Sequence, residues 1–256
     1  MIYVTGDCHG DFRRFSSRRF RVQKHMDRND LVIICGDFGV IWDKKACKEE
    51  NWWLNWLESK PFTVAFVDGN HENFDRLYSD EFPVVDFMGG KARQIRENVL
   101  HLMRGYVYEI EGKKFWAFGG ASSHDIRDGV LDRADFPSEK DFRITRNRWK
   151  KSGKEFRINH VSWWEKEIPS PAEMNFGSAT LNVNNNEVDF IITHCAPQSV
   201  AAMLSNGTYE MDPLTSYFNV IDQTVRFRQW FFGHYHGDAQ IIGKYTMLHR
   251  QIVRIA

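Results

Sequence analysis

An α/β layered fold is the architecture this chain predicts, on two observations. Apolar runs at residues 2–5, 31–35 and 62–67 each read as a buried strand, and each ends one or two residues before a glycine: Gly6, Gly36 and Gly69. Helix-like stretches separate the runs. The resulting order of strand, helix, strand, helix, strand needs crossover connections, which argues for a sheet that begins largely parallel. With 256 residues, 42% of them hydrophobic and 14% aromatic, the chain can bury a large core. No internal repeat or low-complexity linker divides it, so one domain over residues 1–256 is expected.

Between the first two strands, residues 11–25 carry Phe12, Phe15 and Val22 among many arginines. That pattern predicts one amphipathic helix or two, broken near Ser16-Ser17. Residues 46–59 crowd Trp52, Trp53, Trp56 and Leu57 on one side, which predicts a helix packed on the core in preference to a base-stacking surface. Residues 99–102, 106–110 and 114–118 read as short strands, the last two joined by a turn at Glu111-Gly112.

Residues 121–158 are poor in apolar periodicity and rich in charge. From Lys140 to Arg157 there are eight Lys or Arg against two acids. A charged surface insertion, partly loop, is expected over about 121–181, ending in short helices at 161–166 and 171–181. A buried strand follows at 188–193, a helix at 218–229 and a strand at 230–232. Three more strands, at 239–242, 245–248 and 252–255, finish the chain.

Composition narrows the function classes. Formal net charge is zero, so no global field directs the protein to nucleic acid or membrane, and any polyanion site must be local. No run of 18 apolar residues exists, and no membrane partner is expected. The cysteines Cys8, Cys35, Cys47 and Cys195 form no CxxC pair, and the opening residues lack a secretory pattern. A reducing, cytoplasmic location is the expectation.

Five motifs carry chemistry: Asp7-Cys8-His9, Gly36-Asp37, Gly69-Asn70-His71-Glu72, Thr193-His194 and Gly233-His234-Tyr235-His236. Each lies at the end of an apolar run. Open α/β sheets bind ligands beyond the carboxyl ends of their strands, so residues far apart in sequence can converge there. Alone, each motif is weak: an Asp-x-His pair can cap a turn, and His194 can be a core histidine. As an ordered set they supply seven carboxylate, amide and imidazole ligands and one extra histidine. That is the make-up of a dinuclear metal site with a general acid beside it.

The ordered set DxH, GD, GNHE, H and GHxH, spanning residues 7–236, resembles the calcineurin-like metallophosphoesterase family. The resemblance implies a four-layer α/β/β/α sandwich, two mixed β-sheets flanked by helices. It implies hydrolysis of phosphate esters with two divalent ions. By motif, Asp7, His9 and His236 would hold the first ion, and Asn70, His194 and His234 the second. Asp37 would bridge both. His71 would bind no metal and would serve as general acid or phosphate stabiliser. Mn²⁺ suits the mixed oxygen and nitrogen donors; Fe, Zn, Co and Ni fit them too.

One departure bears on substrate. Many family members continue the second motif as GDxxD, often with Arg next, whereas here Gly36-Asp37-Phe38-Gly39-Val40-Ile41 lacks both. The missing Arg, which contacts phosphate in the protein-phosphatase branch, and the basic run at 140–157 tilt the expectation toward a phosphodiester or nucleotide. The alternatives are a phosphomonoesterase or protein phosphatase, and a non-catalytic scaffold of the same fold. Phosphate must then meet another cation, and Arg127, Arg133 and Arg76 are the candidates by position. The run Gly119-Gly120-Ala121-Ser122-Ser123-His124-Asp125 looks like the loop that small bacterial members place near the site. His124 and Arg127 are the substrate-binding expectation. The expected partner is a phosphorylated small molecule or nucleotide, with nucleic acid open through the basic run. Cys8 and Cys195 beside the motifs suggest a sharper idea, a site sensitive to oxidants.

Overall fold

The computed structural model describes residues 1–255. The first six strands are β1 (Ile2–Thr5), β2 (Leu31–Ile34), β3 (Thr63–Phe66), β4 (Val84–Phe87), β5 (Gly90–Arg96) and β6 (Val99–Leu102). With the last strand, β15 (Ile252–Arg254), they build a seven-stranded sheet in the order β15-β1-β2-β3-β6-β5-β4. The four central strands β1, β2, β3 and β6 run parallel, as the sequence pattern predicts.

The second sheet has six strands: β7 (Tyr106–Ile110), β8 (Lys113–Phe118), β11 (Phe190–Thr193), β12 (Gln229–Phe232), β13 (Ala239–Ile241) and β14 (Tyr245–Met247). Its order is β13-β14-β12-β11-β8-β7, and β8, β11, β12 and β14 are parallel. A two-stranded pair, β9 (Val130–Leu131) with β10 (Arg157–Ile158), stands apart.

Alternation along the strands creates the layers. Val32, Ile34, Val64 and Phe66 share a core with Phe12, Phe15, Leu54 and Leu57 on the helical side of the first sheet. Their neighbours Leu31, Ile33 and Ala65 face the other way, into a core shared with Phe115, Ala117, Ile192 and Phe231 of the second sheet. Trp116, Phe118, Ile191 and Trp230 turn outward again, under Leu214 and Phe218. Helix, sheet, sheet and helix therefore stack as the four-layer α/β/β/α sandwich.

The helices are α1 (Lys48–Glu58), α2 (Phe74–Leu77), α3 (Glu139–Lys151), α4 (Pro171–Val183), α5 (Gln198–Leu204) and α6 (Pro213–Thr224). Trp53 and Trp56 of α1 pack on the core as expected, while Trp52 is exposed. Among the described residues no helix is long and apolar enough to cross a membrane.

Several expectations need correction. Residues 11–25 form two short 3-10 helices, Arg13–Phe15 and Arg21–His25, neither with a side-chain cap. Phe12 and Phe15 are both fully buried at a three-residue spacing, which suits the tighter helix. The helix expected at 218–229 is α6, set earlier by Asp212, whose side chain accepts from Thr215 in a capping box with Pro213 behind it. Residues 161–166 hold no α-helix; one 3-10 turn, Glu165–Glu167, overlaps their end.

The 121–181 segment is more than a charged loop. It contains α3, started by Ser138, and α4, started by the Ser170–Glu173 capping box. It also buries Arg157, Trp164 and Glu167. The β4–β5 hairpin and α5 carried no periodic signal strong enough to be read.

Candidate metal centre

Every motif lies just past the carboxyl end of a parallel strand. β1 delivers Asp7 and His9, β2 delivers Asp37, and β3 delivers Asn70 and His71. From the second sheet, β11 delivers His194 and β12 delivers His234 and His236. β8 adds Ser123 and His124. The two sheets stack with these edges together, so six loops meet. Close approach explains two motif glycines: a Cβ on Gly69 would stand 2.0 Å from Asp37 Oδ1, and one on Gly233 would stand 2.0 Å from Asp7 Oδ1. His9, Asp37, His234 and His236 all take left-handed backbone, at φ of 48°, 46°, 67° and 52°.

The side chains converge. His236 Nε2 lies 3.2 Å from Asp7 Oδ2 and 3.1 Å from His9 Nε2. Asp37 reaches two ways: Oδ2 lies 3.6 Å from His9 Nε2, and Oδ1 lies 3.3 Å from His194 Nε2. His194 Nε2 is also 3.3 Å from Asn70 Oδ1. The other ring nitrogen of His194 donates to Cys35 O at 2.8 Å, which leaves Nε2 free to ligate. His234 donates its backbone N–H to Asp7, and His71 donates its own to Asp37 Oδ1. Asp7, His9 and His236 form one group able to hold a cation, and His9, Asp37 and His71 form another. A family model described as calcineurin-like phosphoesterase matches residues 1–238.

The chain belongs to the calcineurin-like phosphoesterase family. No curated protein matches it. Membership assigns a hydrolase that acts on phosphate esters with divalent metal, and the layered fold is the family's sandwich.

The donor set of this phosphoesterase fits divalent ions. Asp7 and Asp37 are almost fully buried, and among the described residues their only charged partners are histidines. Buried carboxylates without Arg or Lys partners call for a cation. Burial alone would raise Asp37, but the charges of His194, His71 and His9 outweigh it and hold the carboxyl well below its usual range. Burial would lower His194; Asp37 reverses this and pushes it up to about 10, which marks how strongly the buried carboxylate draws positive charge to this point. Burial lowers His9. Burial, then His194 and His124, lowers His234 strongly. Both are neutral imidazoles ready to ligate.

Of three supporting groups, Ser123 and Glu72 lay in runs the sequence singled out but were given no role, and Glu167 was not read at all. Asn70 Nδ2 donates to Ser123 Oγ at 3.3 Å, which turns the amide oxygen toward the centre. Ser123 in turn donates from its N–H and its hydroxyl to buried Glu167, at 2.8 and 2.7 Å. Glu72, fully buried, accepts the N–H groups of Phe38 and Gly39 and fixes the loop that carries Asp37. The bond between Ser123 and Glu167 could not be read without knowing that the 3-10 turn Glu165–Glu167 folds against the loop after β8.

The structure also places the phosphate candidates. Arg76 is buried in a pair with Glu50 and Glu81. Arg133 lies on Glu139 and Arg127 on Glu155, both exposed. The arginine at the centre is Arg157 on β10, 8% exposed, with Nη2 3.3 Å from His71 Nε2. Asp125 accepts from its Nε at 2.6 Å and Ser162 O from its Nη1 at 3.0 Å. The only sequence signal was its place between Phe156 and Ile158, an alternation hidden at the end of the basic run. His71 is lowered to about 4, by burial first and with Arg157 contributing, so its ring accepts from the guanidinium. His124, the histidine expected on the substrate side, comes to 2.7 Å from His234 Nε2 and stacks on Tyr209.

Proposed function

We propose that this phosphoesterase hydrolyses phosphodiesters at a pair of divalent ions, Mn²⁺ being the preferred metal. Asp7, His9 and His236 hold one ion; Asn70, His194 and His234 hold the other; Asp37 serves both. The observation that carries the pair is the two-way reach of Asp37, with Oδ2 toward His9 and Oδ1 toward His194. Such ions supply Lewis-acid activation of water and neutralise phosphoryl charge.

The rest is the work of this chain's own side chains. Arg157 donates to a non-bridging phosphoryl oxygen from a position that Asp125 and Ser162 fix. His71, beside that guanidinium, serves with it to stabilise phosphoryl charge, and it can act as general acid only once protonated in the substrate complex. His124 lines the opposite side, against His234. A diester carries one negative charge, which matches the one arginine beside His71, Arg157, better than a dianionic monoester does.

The test is hydrolysis of p-nitrophenyl phosphate and bis-p-nitrophenyl phosphate, with and without Mn²⁺, alongside His71→Ala. Metal-dependent diester turnover that falls in the variant supports the reading. Preference for the monoester overturns the substrate class, and full activity in His71→Ala overturns the role of that histidine.

A further inference from the structure

A cleft of about 590 Å³ opens directly beside the centre and shares Asp7, Cys8 and His9 with it. Its walls come from the 3-10 segment after β1 and from the turn between β14 and β15, and they carry Arg13, Arg14, Arg19, His249 and Arg250. Neither segment belongs to the 121–181 region.

The charges on these walls are unevenly matched. Arg13 is spent on Asp11 in a bidentate pair. Arg14 meets neutral oxygens: Thr5 Oγ1, the carbonyls of Gly6 and Asp7, and the carbonyl of His249. Arg19 and Arg250 are exposed, and neither guanidinium forms an ion pair with a carboxylate among the described residues. His249 lies tilted against His236 with ring centroids 4.8 Å apart. Two exposed guanidinium groups without a carboxylate, Arg19 and Arg250, thus line a single cleft, with the guanidinium of Arg14 held beside them by neutral oxygens. In a chain of zero net charge this is a local concentration of positive potential.

The volume exceeds what one phosphate needs and falls within the range of small-molecule sites. Phe20 and Ile252 add apolar wall. We infer that this cleft binds a second phosphate of the substrate together with the organic unit that links it to the phosphate at the centre. The inference rests on the phosphodiester reading above and narrows it to substrates with at least two phosphates. A nucleotide chain links them through a sugar, and a nucleoside polyphosphate links them through an anhydride.

The experiment compares the p-nitrophenyl ester of thymidine 5′-phosphate with the same ester carrying a 3′-phosphate, both with Mn²⁺. The enzyme is tested against an Arg19→Ala/Arg250→Ala double variant, whose changes are both at exposed side chains. Wild type should favour the two-phosphate ester by about tenfold or more in kcat/KM. The variant should lose that preference and keep its one-phosphate activity within about twofold. Equal turnover of both esters by wild type together with no gain in the titration below, or an equal loss on both in the variant, overturns the inference.

Calorimetric titration with thymidine 5′-monophosphate, 3′,5′-bisphosphate and 5′-diphosphate separates this inference from the proposed function. Tighter binding of the 3′,5′-bisphosphate, lost in the variant, supports a nucleotide chain. A gain confined to the 5′-diphosphate, lost in the variant, supports the cleft with an anhydride as its source. No gain for either overturns it. Should neither ester turn over, the phosphodiester reading falls and the titration still decides the cleft.

Discussion

Replacing Arg157 with methionine removes the guanidinium and keeps most of the stem. Three bonds go with it: to His71 Nε2 at 3.3 Å, Asp125 Oδ1 at 2.6 Å and Ser162 O at 3.0 Å. A buried donor aimed at developing charge is worth about 2.7–4 kcal/mol, or roughly 10²–10³ in kcat. The structural share is smaller. The Asp125 side chain is 58% exposed and rehydrates, and the Ser162 carbonyl loses one hydrogen bond of about 1 kcal/mol. In a chain of this size that lowers Tm by only about 2–4 °C. Arg157→Lys restores a charge without the fork and should fall between the two. Steady-state hydrolysis of bis-p-nitrophenyl phosphate with Mn²⁺, beside thermal melts of the same samples, reads both quantities. A folded Arg157→Met enzyme with kcat within about threefold of wild type would refute the reasoning.

Gly69→Ala places a Cβ 2.0 Å from Asp37 Oδ1 and 2.5 Å from its backbone nitrogen, so the shared carboxylate must move. Affinity for divalent metal should drop by about tenfold or more, seen as metal retained per chain after desalting. Glu167 is held up at about 7, chiefly by burial, against 4.5 for a free glutamate. The unfolded chain therefore releases this proton first, and stability falls as pH rises from about 4.5 toward 7, by on the order of 3 kcal/mol at most. Glu167→Gln should flatten that slope in melts between about pH 5 and 8; an unchanged slope would exclude Glu167 as its source. Burial raises the thiol of Cys8 to about 12 and those of Cys35 and Cys195 well above the usual value. This argues against an oxidant-sensitive site, and a thiol-specific disulfide reagent at neutral pH should label Cys47 alone in the folded protein.

The ligand residues were legible because their chemistry is narrow and their punctuation strong. Asp7, Asp37 and His194 follow unbroken apolar strands, and although each alone has ordinary structural uses, the ordered set of five motifs has few. The apolar runs gave the parallel start of the first sheet, while the stacking of two sheets into four layers was implied by the family resemblance and not by the strands themselves. What escaped depends on tertiary partners. Arg157 resembles its seven basic neighbours until β10 pairs with β9 and turns it inward. The helix at 218–229 was misplaced although Asp212-Pro213 marks its start, because apolar periodicity was weighed above the cap. Residues 11–25 show how a three-residue aromatic spacing passes for a helical stripe in a short segment.

The four left-handed residues at the centre have an evolutionary consequence. Residues other than glycine at such φ cost up to about 1–2 kcal/mol each, with asparagine and aspartate at the low end, and His9, Asp37, His234 and His236 all sit there. For a gene copy released from selection on turnover, substitutions at these positions by glycine or asparagine are thermodynamically downhill. Such a lineage would drift toward a sturdier fold while losing its ligands one at a time. The return journey runs uphill, since each regained histidine or aspartate restores strain before the full set is present to reward it. Loss of the centre in descendants of this chain should therefore act as a ratchet, leaving hardy, inert sandwiches as its end point.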